Sequence, residues 1–315
     1  MKAIVLPRFG GADLLELQDI DRPEPGPTEV LVRVHATSVN PVDFKIREDG
    51  TMFGLETPLV PGYDVSGVIE AVGEDVDEFA PGDAVFYTAE ITEQGTYAEY
   101  HVEDASIVVM KPDALSHEEA AAIPLAACTA WQALIDRAGL EPGETVLIHG
   151  GGGVGHFAVQ IAHAAGALVV VVGNAAMKAD LLDLGADRFV DYETGDFEEA
   201  VDEVSGGLGA DVVFDTVGGD TLEQSIPALA EYGRMVTIVG SAGGALGQAS
   251  GKNATVHFLM MERDGGMMDR VASLAERRLL RPLVAETFPL EEAAEAHRAL
   301  EKGGVHGKIV LTTGA

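Results

Sequence analysis

Short stretches of alternating hydrophobic and polar residues dominate the first third of this chain, a pattern typical of half-buried β-strands. The predicted strands cover residues 30–35, 65–72, 84–87 and 97–102. Two Pro-Gly pairs, Pro61-Gly62 and Pro81-Gly82, supply turns in the middle of this region. Short strands with turns at this spacing predict a partly closed β-barrel.

The pattern changes near Ser116. Ser116 followed by Glu119 predicts a capping box that opens an alanine-rich helix. Apolar strands then alternate with helical stretches, and the predicted strands cover residues 145–149, 167–173, 188–191, 211–215 and 234–240, with a sixth at 256–261. This alternation predicts a doubly wound parallel sheet, whose ligand is expected outside the carboxyl ends of the strands.

The end of the chain carries a helical stretch at residues 290–301 and an alternating strand at residues 307–312. We interpret this tail as rejoining the first domain, which makes that domain discontinuous. The predicted boundaries are therefore 1–121 with 265–315 for the β-barrel domain and 122–264 for the parallel-sheet domain. A length of 315 residues is also more typical of two domains than of one.

A glycine-rich stretch follows the first predicted parallel strand, in the sequence Thr145-Val-Leu-Ile-His-Gly-Gly-Gly-Gly-Val-Gly155. Gly150, Gly152 and Gly155 fit the pattern G-x-G-x-x-G. Glycines let the backbone turn tightly and approach a pyrophosphate, whose charge then lies at a helix N-terminus. A strand before the loop, a helix after it and a second strand complete a βαβ unit. We therefore favour a dinucleotide site over an ordinary glycine-rich turn.

The composition is that of a globular protein. Hydrophobic residues make up 47% of the chain, which is enough for a sizeable core.

The apolar run 3–6 stops at Pro7 and is too short for a signal peptide. The longest apolar stretch, residues 146–173, contains histidines and glycines, so a βαβ unit is preferred over a membrane helix. The single cysteine, Cys128, excludes an intramolecular disulfide and fits a cytoplasmic protein.

The charge balance is strongly acidic. Twenty basic residues against 52 acidic residues give a formal net charge of −32. Such a charge repels phosphate backbones and anionic lipids, so we expect no nucleic-acid and no membrane partner. These like charges push the fold apart at low ionic strength, but at about 1 M salt the Debye length is roughly 3 Å and the repulsion is screened. We therefore predict a halophile's protein that loses structure in low salt; the alternative is a merely acidic protein.

Together these residues resemble the medium-chain dehydrogenase/reductase superfamily, specifically its zinc-free quinone oxidoreductase branch, which is zeta-crystallin-like. Besides the glycine loop, the motifs that carry the resemblance are Asn40-Pro-Val-Asp-Phe-Lys45, Pro61-Gly-Tyr-Asp-Val-Ser-Gly67, Pro81-Gly-Asp83, Thr129-Ala-Trp-Gln-Ala-Leu134, Asp215-Thr-Val-Gly-Gly219 and Gly307-Lys-Ile-Val-Leu311. The resemblance implies an α/β fold, with a GroES-like β-barrel catalytic domain plus a Rossmann doubly wound parallel-sheet domain. It also implies a homodimer and an active site in the cleft between the domains.

Departures from the superfamily pattern argue against zinc. Zinc-dependent members have a cysteine ligand where this chain has Asn40, and a Gly-His-Glu where it has Gly62-Tyr63-Asp64. Their structural lobe with four cysteines is also missing. A zinc site needs three or four converging Cys, His or carboxylate ligands. His149, His156 and His163 do not supply them, because the first ends a predicted strand and the others lie on a helix. We expect no metal.

The predicted cofactor is NADPH, with NADH less favoured. In Rossmann folds an Asp or Glu about 20 residues past the glycines binds the ribose 2′-hydroxyl of NAD. Here the second parallel strand ends at Gly173-Asn174 without a carboxylate, which permits a 2′-phosphate. Lys178 can pair with that phosphate as a point charge, and a solvated helix start is the alternative for this residue. Tyr192 matches a tyrosine that lines the adenosine phosphate pocket in the family.

Further cofactor contacts are expected from the glycine loop and from other elements that end near the cofactor. We expect mostly backbone contacts there. The predicted residues are Thr129, Gly150, Gly152, Gly153, Val154, Gly155, Val217, Val239, Gly240 and Ser241.

Hydride delivery to a quinone, or to the β-carbon of an enone, builds negative charge on a carbonyl oxygen, which needs a hydrogen-bond or proton donor. By family position, the candidate catalytic residues are Asn40, Lys45 and Tyr63. Lys45 can stabilise or protonate the oxyanion, Tyr63 can donate its hydroxyl, and Asn40 can hold the nicotinamide ribose or the substrate carbonyl. The alternatives are structural: Asn40 and Asp43 set a turn, Tyr63 packs in the core, and Lys45 lies on a solvated face.

The leading hypothesis is thus an NADPH-dependent, metal-independent oxidoreductase that transfers hydride to a small quinone or an α,β-unsaturated carbonyl. One alternative is an enoyl-thioester reductase of the same superfamily, although the charge of −32 disfavours its anionic substrate. The other alternative is a non-catalytic NADPH-binding protein of the crystallin type. Catalytic turnover separates these interpretations.

Overall fold

A computed structural model describes residues 1–240 and 245–315 of the chain. The strands within these residues are β1 (Lys2–Val5), β2 (Glu16–Asp19), β3 (Glu29–Val39), β4 (Asp64–Val72), β5 (Ala84–Thr88), β6 (Tyr100–Asp104), β7 (Val109–Met110), β8 (Thr145–His149), β9 (Leu168–Gly173), β10 (Arg188–Asp191), β11 (Ala210–Asp215), β12 (Leu229–Thr237), β13 (Thr255–Phe258), β14 (Val284–Pro289) and β15 (Lys308–Thr312).

The helices within the same residues are α1 (Pro41–Asp49), α2 (His117–Ala121), α3 (Pro124–Trp131), α4 (Gly155–Ala164), α5 (Lys178–Asp183), α6 (Phe197–Ser205), α7 (Thr221–Ser225), α8 (Ala245–Ala249), α9 (Gly265–Glu276) and α10 (Ala293–Lys302). A π-helical turn, Gln132–Arg137, continues α3. In this described part of the chain, no helix is long and apolar enough to cross a membrane.

The chain divides into two compact units. The first unit comprises Met1–Cys128, Arg263–Arg277 and Pro282–Ala315, so it is discontinuous and holds both ends of the chain. The second unit comprises Thr129–Glu262 together with Arg278–Arg281. The predicted domain boundaries, 1–121 with 265–315 and 122–264, stay a prediction.

A mainly antiparallel sheet organises the first unit, in the strand order β14-β15-β3-β4-β5-β7, and β6 pairs with β3 outside that order. The long strand β3 is central, because it pairs antiparallel with β15, β4 and β6. Its alternate residues Val30, Val32 and Val34 are fully buried in one core cluster. The predicted β-rich first region is confirmed, and the C-terminal part of the chain contributes two strands of its sheet, β14 and β15.

The six strands of the second unit form a parallel sheet in the order β10-β9-β8-β11-β12-β13. Both faces of this sheet are covered, so strands such as β9 are almost continuously apolar and buried. After β8 the chain adds β9 and then β10 on one side of β8. After β11 it adds β12 and then β13 on the opposite side of the sheet. The switch point of this doubly wound sheet therefore lies between β8 and β11, where such sheets bind ligands. The predicted doubly wound sheet is confirmed.

Local predictions differ in their accuracy. The predicted capping box is confirmed, because Ser116 Oγ accepts from Glu119 N at 3.1 Å and Glu119 Oε2 accepts from Ser116 N at 2.8 Å. The strand predicted at 97–102 begins only at Tyr100, because Tyr97 is bonded elsewhere, from its N–H to Pro61 O at 2.9 Å. The strand predicted at 234–240 is wrong at both ends, since β12 runs from Leu229 to Thr237.

Candidate active site

The glycine loop lies between β8 and α4, and two of its glycines are required by close contacts. Gly150 has φ +93°, and a Cβ there would lie 2.3 Å from Thr216 Oγ1. A Cβ on Gly155 would lie 1.7 Å from the carbonyl oxygen of Gly150. The loop therefore closes on itself so tightly that neither position accepts a side chain. Gly152, Gly153 and Val154 lie between these two glycines, directly before the N-terminus of α4.

The turn after β11 lies beside this loop. The buried Asp215 carboxylate accepts bonds from the N–H groups of Val217 and Gly218, both at 2.9 Å, and from Thr237 Oγ1 at 3.0 Å. These bonds hold the turn in one conformation. A Cβ built on Gly150 would lie 3.1 Å from Val217 Cγ2, so the predicted cofactor residue Val217 adjoins the glycine loop.

The turn after β12 adjoins the turn after β11 in the same way. Gly218 has φ +85°, and a Cβ there would meet Val239 Cγ1 at 2.7 Å. The N–H of Val239 donates to Thr237 Oγ1 at 3.2 Å, and Gly240 follows with φ +79°. Ser241, also predicted as a cofactor contact, lies outside the described residues. Val217 thus adjoins the glycine loop, Val239 adjoins the turn after β11, and Gly240 follows Val239.

On the other side of the switch point, Asn174 and Tyr192 follow β9 and β10. Asn174 Oδ1 accepts from Ala176 N at 2.9 Å, and Tyr192 N donates to Gly173 O at 3.1 Å. The phenol of Tyr192 is exposed and donates to Glu193 Oε1 at 3.0 Å. Lys178 is exposed at the start of α5. Sequence reasoning missed Glu193, an acidic group beside a residue expected to line a phosphate pocket.

The predicted cofactor residues are therefore gathered at one edge of the parallel sheet. Each of the strands β10, β9, β8, β11 and β12 ends at this edge, and each is followed by at least one of them. The exception is Thr129, which is buried in α3. A tight glycine turn that opens a helix at a switch point is an anion site suited to a dinucleotide pyrophosphate.

Asn40, one of the predicted catalytic residues, is buried in the first unit at the start of α1. Its Nδ2 donates to Asp64 Oδ2 at 2.8 Å, and its Oδ1 accepts from Lys308 Nζ. Its backbone N–H donates to Asp43 Oδ2 at 2.7 Å, so Asn40 and Asp43 also set the helix start, as the structural alternative expects. Both the oxygen and the nitrogen of the Asn40 side-chain amide are therefore hydrogen-bonded to charged groups.

The other two predicted catalytic residues differ in their exposure. Tyr63 is only 1% exposed, packs with Leu59 and Ile46, and its hydroxyl lies 3.5 Å from Ile91 O. Burial raises the pKa of the Tyr63 phenol well above its ordinary value, so the hydroxyl keeps its proton. Lys45 is exposed on α1. No described contact joins the side chains of Asn40, Lys45 and Tyr63 to one another in the part of the chain that the structure describes.

A chain of buried polar groups, which sequence reasoning missed, links α1 to α10. Arg47 Nη1 donates to His297 Nδ1 at 3.4 Å. The guanidinium also forms a bidentate ion pair with Glu301, from Nη1 at 3.1 Å and from Nη2 at 2.8 Å. Because arginine can only donate, His297 must carry its proton on Nε2, which contacts the Tyr97 hydroxyl at 3.2 Å. Tyr97 in turn donates to Asp43 Oδ2 at 2.9 Å.

Burial shifts the pKa of two titratable groups in this chain of bonds in opposite directions. Burial raises the pKa of Asp43 to about 7, and its second oxygen, Oδ1, has no hydrogen-bond partner within the described structure. Burial, followed by the charge of Arg47, lowers the pKa of His297 to about 3. With His297 neutral and Arg47 permanently charged, these hydrogen bonds connect α1 to α10. They cannot conduct protons from the surface, because Arg47 does not release one.

Three residues stand where the sequence analysis compares this chain with zinc-dependent members of the superfamily. They are an amide, a phenol and a carboxylate, namely Asn40, Tyr63 and Asp64. The Asp64 carboxylate already accepts bonds from Ser38 Oγ, Asn40 Nδ2 and the N–H of Leu125. No group of three or more His, Cys, Asp or Glu side chains able to hold a metal occurs over residues 1–240 and 245–315. This donor set does not fit zinc.

A doubly wound sheet with this glycine loop at its switch point defines a dinucleotide-binding protein of the Rossmann type. The family model described as "Alcohol dehydrogenase GroES-like domain" matches residues 26–113, and that described as "Zinc-binding dehydrogenase" matches residues 184–311. The chain is 34% identical to a quinone oxidoreductase of Sus scrofa, with 99% of this chain and 97% of the relative covered. It therefore belongs to the medium-chain dehydrogenase/reductase superfamily, and it is an oxidoreductase with a GroES-like domain.

Solved structures agree with this assignment. A structure titled NAD-dependent alcohol dehydrogenase superposes with a TM-score of 0.93 at 36% identity, with all of both chains covered. The Escherichia coli quinone oxidoreductase complexed with NADPH superposes with a TM-score of 0.89 at 28% identity, over 99% of this chain and 100% of that one. The predicted superfamily and the predicted fold class are confirmed.

Proposed function

We propose that this protein is an NADPH-dependent, metal-independent reductase that transfers hydride to a small quinone or an α,β-unsaturated carbonyl. The observation that carries the proposal is the edge of the parallel sheet at the switch point. There the glycine loop, the turns after β11 and β12, and Asn174 and Tyr192 come together. The pig and Escherichia coli relatives named quinone oxidoreductases support the substrate class.

The preference for NADPH over NADH rests on the end of β9. Asn174 stands where a carboxylate would favour NAD, and its Oδ1 is engaged with the N–H of Ala176 at 2.9 Å. Lys178, exposed a few residues later, can pair with a 2′-phosphate. Glu193 works against this preference, because its carboxylate adjoins Tyr192. Lys178 and Glu193 therefore act in opposite directions on a bound 2′-phosphate.

When bound, a nicotinamide cofactor supplies the hydride, and the protein supplies orientation and electrostatic stabilisation. The acceptor's carbonyl oxygen gains negative charge during reduction and needs a hydrogen-bond donor. Lys45, whose ammonium is exposed, suits that role as a charged donor. Asn40 keeps one Nδ2 hydrogen beyond its bond to Asp64, and Tyr63 keeps its hydroxyl protonated because of burial. These three residues are the proposed catalytic groups.

Metal independence is proposed from the donor set at Asn40, Tyr63 and Asp64. The chain has a single cysteine, Cys128, which is buried and contacts Met268 Sδ at 3.3 Å. Burial also raises the pKa of the Cys128 thiol, which disfavours the thiolate that a metal would need. The matched family model bears the name zinc-binding dehydrogenase, so a chelator control is part of the test.

The test is oxidation of NADPH at molar salt with a panel of p-quinones, α,β-unsaturated ketones and an enoyl-CoA. NADH and a chelator serve as controls. We expect turnover of a quinone or an enone that is faster with NADPH and unaffected by the chelator. Turnover of the enoyl-CoA alone would favour the enoyl-thioester reductase, and tight NADPH binding without any turnover would favour a non-catalytic binding protein. The cytoplasmic location and the homodimer stay predictions.

A further inference from the structure

The closing motif Gly307-Lys-Ile-Val-Leu311 contains a buried lysine to which the proposed mechanism gives no role. Lys308 is 3% exposed. Its ammonium donates to Asn40 Oδ1 and to Val39 O, the latter at 3.3 Å, and lies 3.7 Å from Asp64 Oδ2. A buried ammonium is costly unless it is hydrogen-bonded and paired, so the two acceptors and the nearby carboxylate charge account for its presence.

Strand pairing places Lys308 beside Asn40. In the antiparallel pair of β15 and β3, Ile309 lies opposite Val39, so Lys308 is next to the residue that follows β3. Asp64 begins β4, which pairs with β3 on its other side. The ends of three neighbouring strands therefore bring together an ammonium, an amide and a carboxylate, although 268 positions separate Lys308 from Asn40.

The charges of Lys308 and Asp64 determine the orientation of the Asn40 side-chain amide. An ammonium can only donate, so the amide oxygen faces Lys308. An ionised carboxylate can only accept, so the amide nitrogen faces Asp64. The distance of 3.7 Å between Lys308 Nζ and Asp64 Oδ2 is too long for a direct hydrogen bond, and the amide bridges the two charges instead.

We infer that Lys308 is a positioning residue for hydride transfer and acts through Asn40. It holds the amide in the single orientation in which the remaining Nδ2 hydrogen can serve a carbonyl oxygen or the nicotinamide ribose. Without this ammonium, the amide oxygen loses its charged donor, and only the bond from Nδ2 to Asp64 still restrains the side chain. The inference rests on the proposed function, specifically on the catalytic role of Asn40.

The test compares the unmodified protein with Lys308→Met and with the double variant Lys308→Met/Asp64→Asn. The double variant removes both charges of the pair of Lys308 and Asp64, so it stays informative if the single variant fails to fold. We expect kcat with the best acceptor to fall by about 100-fold in both variants, while the Kd for NADPH stays within a few-fold. The isotope effect of 4-deuterated NADPH on kcat should rise, because hydride transfer becomes rate-limiting.

The matched control is Lys111→Met, which removes a half-buried ammonium of the same unit that donates to Pro112 O at 3.0 Å. It should leave kcat and the isotope effect unchanged. If the double variant keeps the kcat and the isotope effect of the unmodified protein, Lys308 only balances the charge of Asp64 and the inference is wrong. If the unmodified protein turns over no acceptor, the proposed function fails first, and the inference with it.

Discussion

The substitution Asp43→Asn should change how stability depends on pH. Asparagine keeps an oxygen for the two bonds that Asp43 Oδ2 accepts, from Asn40 N–H and Tyr97 hydroxyl, at 2.7 and 2.9 Å. The new amide nitrogen would replace Oδ1, which has no partner within the described structure. The variant removes the ionisation of this side chain, and the cost of its buried amide N–H groups is the same at every pH.

The magnitude follows from the pKa of Asp43, which burial raises from 3.8 to about 7. A raised pKa means that the folded protein binds this proton more tightly than the unfolded chain does. Its stabilisation is complete below about pH 4 and is lost as the pH rises through about 7. A shift of this size corresponds to a change on the order of 4 kcal/mol in the free energy of unfolding, of which about 3 kcal/mol falls between pH 5 and 8.

The assay is the thermal midpoint, measured by calorimetry at constant molar KCl between pH 5 and 8. The midpoint of Asp43→Asn relative to the unmodified protein should rise over this range by roughly 6–12 °C, at 2–4 °C per kcal/mol. Both proteins carry the same buried histidines, so the titration of those histidines cancels in the difference. The control Asp19→Asn, at an exposed residue of β2, should show no such trend. A difference that does not vary with pH would refute the reasoning.

Three further predictions concern the cofactor and salt. Gly155→Ala places a Cβ 1.7 Å from Gly150 O and should weaken NADPH binding by about tenfold or more in a fluorescence titration, whereas Gly251→Ala, whose Cβ meets open space, should not. Lys178→Ala should raise the KM for NADPH by about tenfold and leave that for NADH unchanged; an equal rise for both, or the same effect from Lys302→Ala, would contradict the pairing with a 2′-phosphate. The net charge of −32 predicts a thermal midpoint that rises from about 0.1 M to about 2 M KCl, and a flat or falling midpoint would show that screening is not required.

The edge of the parallel sheet that carries the glycine loop was predictable because its signals are local. A glycine pattern between a strand and a helix constrains the backbone by itself, and the contact between Gly155 and Gly150 spans only five positions of the chain. The strands of a parallel sheet also run in the same direction, so their carboxyl ends all lie at one edge. The residues that follow β9, β10, β11 and β12 therefore had to lie at the same edge of the sheet as the glycine loop once the order of elements was known.

The buried network of the first unit was not predictable in the same way. Tyr97 meets Asp43 across 54 positions and His297 across 200. No local pattern records such a contact, since each residue alone looks like a helix cap, a strand residue or a helix residue. Glu193 has no motif of its own, because the carboxylate that distinguishes NAD from NADP is expected at the end of β9 and this acidic side chain follows β10.

Because the first unit contains both the N-terminal and the C-terminal segments of the chain, it cannot be completed until synthesis on the ribosome is almost finished. The second unit needs only Thr129–Glu262 and the four residues Arg278–Arg281, so it can be completed while the C-terminal tail is still being made. The first unit must wait for β15, which pairs with β3 on one side and β14 on the other. Until Lys308 emerges from the ribosome, Asp64 has no buried ammonium beside it. The nascent first unit is then an unfinished sheet with the edge of β3 unpaired, which is the stage at which a chaperone would be most needed.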